Sequence, residues 1–132
     1  MNAQSTENSH PRASAVRSQL RELNAFSKDV EASAAITTDG FIIGAVLGSG
    51  VDADRFAAMC ASLLALADRA AQEIARGRLK QVLIEGDTGL MLLVHAGNEA
   101  VLAVAARPTV NLGMIFLEAR KAAQKIRTTL ES

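Results

Sequence analysis

Residues 36–56 read "ITTDGFIIGAVLGSGVDADRF". Asp39-Gly40 stands between two extended apolar runs, and Asp-Gly in that setting signals a β-hairpin. Gly48, Gly50 and Ala53 then match G-x-G-x-x-A, the spacing of a dinucleotide fingerprint. Such a fingerprint needs a central parallel strand before it and free helix amides facing the pyrophosphate. Here the preceding strand is the second arm of a hairpin. Asp52 and Asp54 would put two carboxylates at the phosphate position. The acid expected about twenty residues on is missing in context: Asp68 falls inside a helix, and Glu85 ends a strand too late. No Lys-Ser or Lys-Thr follows to make a P-loop. The glycines therefore turn the chain, and Asp52 caps the next helix.

Working outward, the hairpin arms span roughly residues 30–37 and 41–47. After Asp52 the period becomes helical as far as Arg76, with Gly77 as the stop. Phe56, Cys60, Leu63, Ala67, Ala70 and Ile74 form the stripe expected to face the sheet. A second stripe, Ala57, Ala61, Leu64, Ala65 and Ala71, leaves little of the helix plainly polar. Upstream, Val16, Leu20, Leu23 and Phe26 recur at helical spacing behind Ser14, the expected cap. Downstream, "KQVLIE", "GLMLLVHA" and "AVLAVAA" form a three-stranded meander, and "NLGMIFLEARKAAQKIRTTL" a final helix. The last two strands are apolar on both faces, so both faces are covered. The expected fold is α+β (α-β-β-α-β-β-β-α), one five-stranded antiparallel sheet with helices on both sides. Residues 1–13 read as a disordered polar tail and 14–132 as the domain.

Composition removes several classes of function. Hydrophobic residues make up 49% of the 132-residue chain, but aromatics only 3%, and Trp and Tyr are absent. Four Phe make no stacking platform for single-stranded nucleic acid. Fourteen basic residues balance fourteen acidic ones, so no net field draws in a polyanion. Apolar runs fall far short of the ~18 residues that span a bilayer, and no signal peptide is visible. The expectation is a cytoplasmic protein without nucleic-acid partner or membrane insertion. Cys60 has no second cysteine to pair with and sits in a helix interior, where a thiol is inert. His10 lies in the tail. His95 ends a strand without metal-ligand company, and Glu85 and Asp87 flank a turn. No nucleophile, base, metal or cofactor constellation emerges.

"ITTDGFIIGAVLGSGVDADRFAAMCASLLALADRAA", "QVLIEGDTGLMLLVHAG" and "AVLAVAARPTVNLGMI" together resemble the roadblock/LC7 family across residues 16–127. The Asp-Gly hairpin, the Ala/Leu-rich long helix and the "NLG" opening of the last helix carry the likeness. It implies a profilin-like three-layer sandwich, with one helix on one face of the sheet and two on the other. It also implies homodimerisation, or pairing with a related chain, and regulation or scaffolding of a small Ras-like GTPase. Prokaryotic members act on such a GTPase; members do not themselves bind nucleotide, and no cofactor is expected. The residues support association independently. "KQVLIE" can lie at a sheet edge, where Val82, Leu83 and Ile84 would risk promiscuous pairing unless a partner covers them. With Leu83 on a two-fold axis, Gln81 meets Glu85; centring on Val82 is also allowed. Ala57, Ala61, Leu64 and Ala71 are the expected helix seam. Arg55, Asp68, Arg69 and Glu73 are the candidate partner contacts. The alternative is a sensory module that holds a small ligand, with His95 its one notable polar candidate.

Overall fold

A computed structural model describes residues 10–132. The order is α1 (Ala13–Phe26), β1 (Val30–Thr37), β2 (Ile42–Val46), α2 (Ala53–Glu73), β3 (Gln81–Gly86), β4 (Gly89–His95), β5 (Ala100–Ala106) and α3 (Leu112–Glu131). All five strands join one sheet in the order β2-β1-β5-β4-β3, and every neighbouring pair is antiparallel. Hairpin and meander meet where β1 pairs with β5.

Helices cover both faces, as the apolar pattern of β5 requires. On one face α1 and α3 supply Val16, Leu20, Leu23, Ile115, Ala119 and Ile126, which pack on Ala35, Ile43, Leu92, Leu102 and Val104. On the other, α2 alone lays Ala53, Ala57, Cys60 and Leu64 on Ala34, Ile36, Ile42, Leu93, Val101 and Ala103. Side chains alternate along each strand, so Leu92 and Leu93 serve opposite cores. The result is the profilin-like three-layer α+β sandwich.

Several local details depart from the sequence reading. Ser14 does not cap α1: the helix opens two residues earlier than such a cap implies, at Ala13 behind Arg12, without a side-chain cap. The β1–β2 connection is wider than a two-residue turn. Thr37 N donates to Phe41 O at 2.7 Å, and a bulge lies between Ala35 and Ile36. Gly40 has φ +95°, and a Cβ there would stand 3.3 Å from Ala58 Cα. The loop thus needs glycine for its conformation and for the passage of α2. Helix α2 ends at Glu73, before Gly77. Ala75 takes φ +56°, while Arg76 N donates to Ala71 O and Ala75 N to Gln72 O. That is a Schellman cap with alanine in the position glycine usually holds.

The Asp52 cap is as read, and the structure adds a second at Asn111. Asp52 Oδ1 accepts from Arg55 N at 3.1 Å, opening α2. In the "NLG" motif, Asn111 Oδ1 accepts from Met114 N at 3.0 Å, opening α3. Gly50 turns the chain into α2 with φ +86°, in open space. The glycine pair is a turn.

Candidate interaction surface

Strand β3 is one of the two sheet borders, β2 being the other: β4 pairs with one side of β3, and its other side has no strand among the described residues. Its side chains divide by parity. Gln81, Leu83 and Glu85 lie opposite Val94, Leu92 and Leu90, on the α1/α3 side, because Leu92 and Val94 belong to that core. Val82 and Ile84 lie opposite Leu93 and Met91, on the α2 side. Leu83 and Ile84 are each 36% exposed. The edge is therefore apolar on the α2 side and carries Leu83 between two polar residues on the other, with its outer backbone N–H and C=O groups unpaired by any strand among the described residues, the template for another strand. Arg120 of α3 reaches over this border and donates to Gln81 Oε1 at 2.9 Å. The Gln81 amide N–H groups stay free to donate outward.

The exposed side of α2 continues this apolar border. Met59 is 62% exposed and Leu66 64%, one heptad apart. Between α2 and the meander runs a groove of about 520 Å³ lined by Phe56, Met59, Leu63, Ile84 and Met91. Met59 and Ile84, the exposed side chains among these, link helix and strand into one patch.

The expected helix seam has to be redrawn. Ala57, Ala61 and Leu64 are buried on the protomer's own sheet, and Ala71 is half-buried. Conversely, Ala70 and Ile74, expected to face the sheet, are exposed, and Phe56, Leu63 and Ala67 flank the contact half-buried. The physical reason is close approach. Ala53, Ala57 and Ala61 let α2 settle close to the sheet, with Gly40 leaving room for its passage, so these three alanines are used internally while Ala58, Ala65 and Ala70 are exposed. The bulky Met59 and Leu66 are left outside. Large apolar residues recurring off the small-residue stripe were the signal that pointed to them.

Of the expected partner contacts, Arg55, Arg69 and Glu73 lie exposed on α2. Asp68 is half-buried, and its Oδ2 stands 3.1 Å from Nε2 of His95 at the end of β4. That pair gives His95 a structural partner and takes Asp68 out of the free set. Burial pushes the Cys60 thiol up to about 11, which keeps it protonated and inert at neutral pH. Among the described residues, no cluster of His, Cys, Asp and Glu could hold a metal. No helix among them is long and apolar enough to cross a membrane.

Fold and surface together define a profilin-like α+β domain with an open apolar strand. The Roadblock/LC7 domain family matches residues 19–106, and the chain belongs to that family. The uncharacterized protein MJ1340 of Methanocaldococcus jannaschii is 39% identical over 108 residues, which cover 82% of this chain and 93% of that protein. The Roadblock/LC7 domain from Streptomyces avermitilis superposes with a TM-score of 0.82 at 21% identity, covering 88% of this chain and 98% of that one. Myxococcus xanthus MglB does so with 0.81 at 19% identity, covering 89% of each. The architecture extends to profilin II of Acanthamoeba castellanii, with 0.57 at 17% identity over 85% of this chain and 96% of that one.

Proposed function

We propose that this chain is a non-enzymatic, cytoplasmic homodimer that regulates or scaffolds a small Ras-like GTPase through protein–protein contacts. The observation that carries the reading is the continuity of the naked β3 border with the exposed Met59–Ile84 patch. Obligate dimers bury ~2,000 Å² or more, which calls for a joint strand and helix contact and not β3 pairing alone.

The faces of β3 favour one register. With Leu83 on the two-fold axis, Leu83 meets its copy and Gln81 meets the partner's Glu85 on one side. On the other side Val82 meets the partner's Ile84, so apolar faces apolar. Centring on Val82 sets Gln81 against the partner's Leu83 and strands Glu85. The Leu83 register also brings Arg120, already anchored on Gln81, within reach of the partner's Glu85. The same axis draws the two α2 helices together, and Arg55, Arg69 and Glu73 then border a composite face. A regulator of this kind changes GTP hydrolysis by ordering the GTPase's own switch loops. Fold similarity to MglB supports the reading.

Pull-downs with Ras-like GTPases encoded beside this gene, loaded with GDP or a GTP analogue, test the function. Nucleotide-dependent capture is expected. Failure with every such GTPase overturns the GTPase role. Light scattering tests the dimer separately.

A further inference from the structure

A second concavity lies at the end of the sheet where β4 turns into β5, away from the α2 outer patch. It is a groove of about 1160 Å³. Its lining includes the buried apolar side chains of Leu64, Val94, Val101 and Ala123. Arg76, Arg78 and Lys80, on the α2–β3 connection, line it together with Arg120 and Arg127 of α3. Asp68 is the one carboxylate among the lining residues, and His95 already engages it. Arg127 pairs with Glu131 at 3.1 Å, and Arg120 holds Gln81. The side chains of Arg76, Arg78 and Lys80 have no partner among the described residues. A chain with balanced charge has thus gathered five cations about one concavity, whose floor mixes the apolar side chains with Thr38, Gln72, Asn98 and Gln124.

From this arrangement we infer that the groove is a docking site for an acidic, partly apolar segment of a protein partner. Shape and burial argue against a small ligand. The groove is broadly open to solvent, whereas a small-molecule site buries most of its ligand. All five cations are exposed, so they remain hydrated, and no desolvated charge is present to hold a single phosphate tightly. Several hydrated cations spaced around a lining of mixed polar and apolar side chains instead suit carboxylates spaced along a chain, with apolar side chains between them to meet Leu64, Val94 and Val101. The groove is lined within one chain and does not depend on the identity of a GTPase; Arg76, Arg78 and Arg127 lie outside β3, while Arg120 is shared with the proposed seam.

The test is a titration of the full ¹⁵N-labelled chain with a short peptide of alternating leucine and glutamate, followed by amide NMR. The same peptide with lysine for glutamate is the control. Saturable shifts at the amides of His95, Gly97, Asn98 and Val101 are expected with the acidic peptide and not with the basic one. Affinity should fall about tenfold between low and high salt, because the paired charges are solvent-screened. Neutralising the loop (Arg76→Gln, Arg78→Gln, Lys80→Gln) should weaken binding by about tenfold or more. The charge-preserving Arg76→Lys, Arg78→Lys variant should retain it. Melting temperature and light scattering of both variants report whether fold and association are intact. The inference is overturned by absence of shifts, by shifts confined to β3, or by equal binding of the neutralised variant with its fold intact. Tighter binding of inorganic tripolyphosphate at the same amides would also overturn it, by making the groove a small-anion site.

Discussion

Cys60 shows how one residue's chemistry follows from its place. It lies on the sheet-facing stripe of α2, and burial raises its thiol from an ordinary 9.0 to about 11. The thiolate fraction at pH 8 is therefore about a hundredfold below that of an exposed thiol. A disulfide reagent such as DTNB should label the native chain far more slowly than the urea-unfolded chain at that pH. The linkage has a sign. The folded state holds this proton more tightly than the unfolded state, so the stabilisation is complete below pH 9 and declines as pH rises toward 11. Urea midpoints at pH 8 and pH 10 should differ in that direction, and Cys60→Ala should shrink the difference. Nearby, the Asp68–His95 pair could not be read from spacing, because it joins a helix interior to a strand end across 27 positions.

At the scale of elements, termini carry the sharpest expectations. Asp52→Ala removes the acceptor for Arg55 N and should cost about 1 kcal/mol of stability, measured by urea denaturation. Ala75→Gly should act in the opposite sense. The left-handed conformation costs an alanine roughly 1 kcal/mol that glycine avoids, so a gain of about 0.5–1 kcal/mol is expected in the same assay. A loss would mean that the φ of +56° at Ala75 is not what closes α2. The length of α2 was legible only in part. Gly77 is the visible stop signal, yet the backbone closes earlier because the chain must leave the α2 face and reach the sheet border at Gln81.

For the whole molecule, the deciding contact is whatever sits against β3. Leu83→Glu should give a folded monomer by light scattering, since two carboxylates would meet on the axis. The register makes a finer demand. Arg120→Glu or Glu85→Arg alone should weaken the dimer about tenfold, by putting like charges together. Combining the two substitutions should restore it, since the exchanged side chains would again set opposite charges facing each other across the seam. No rescue in sedimentation equilibrium would remove the Leu83 register.

Sequence alone determined the order of elements, the hairpin and meander, and the Asp52 cap. Those follow from local rules of period, turn chemistry and charge within a few residues. Only the tertiary structure decided which side of α2 lies on the sheet, why Ala57 and Ala61 are internal, and where Asp68 and the five groove cations come to stand. A helix with two apolar stripes has no local preference between them. The choice falls to the distance at which helix and sheet backbones can approach, and that distance is set by residues far apart in the chain.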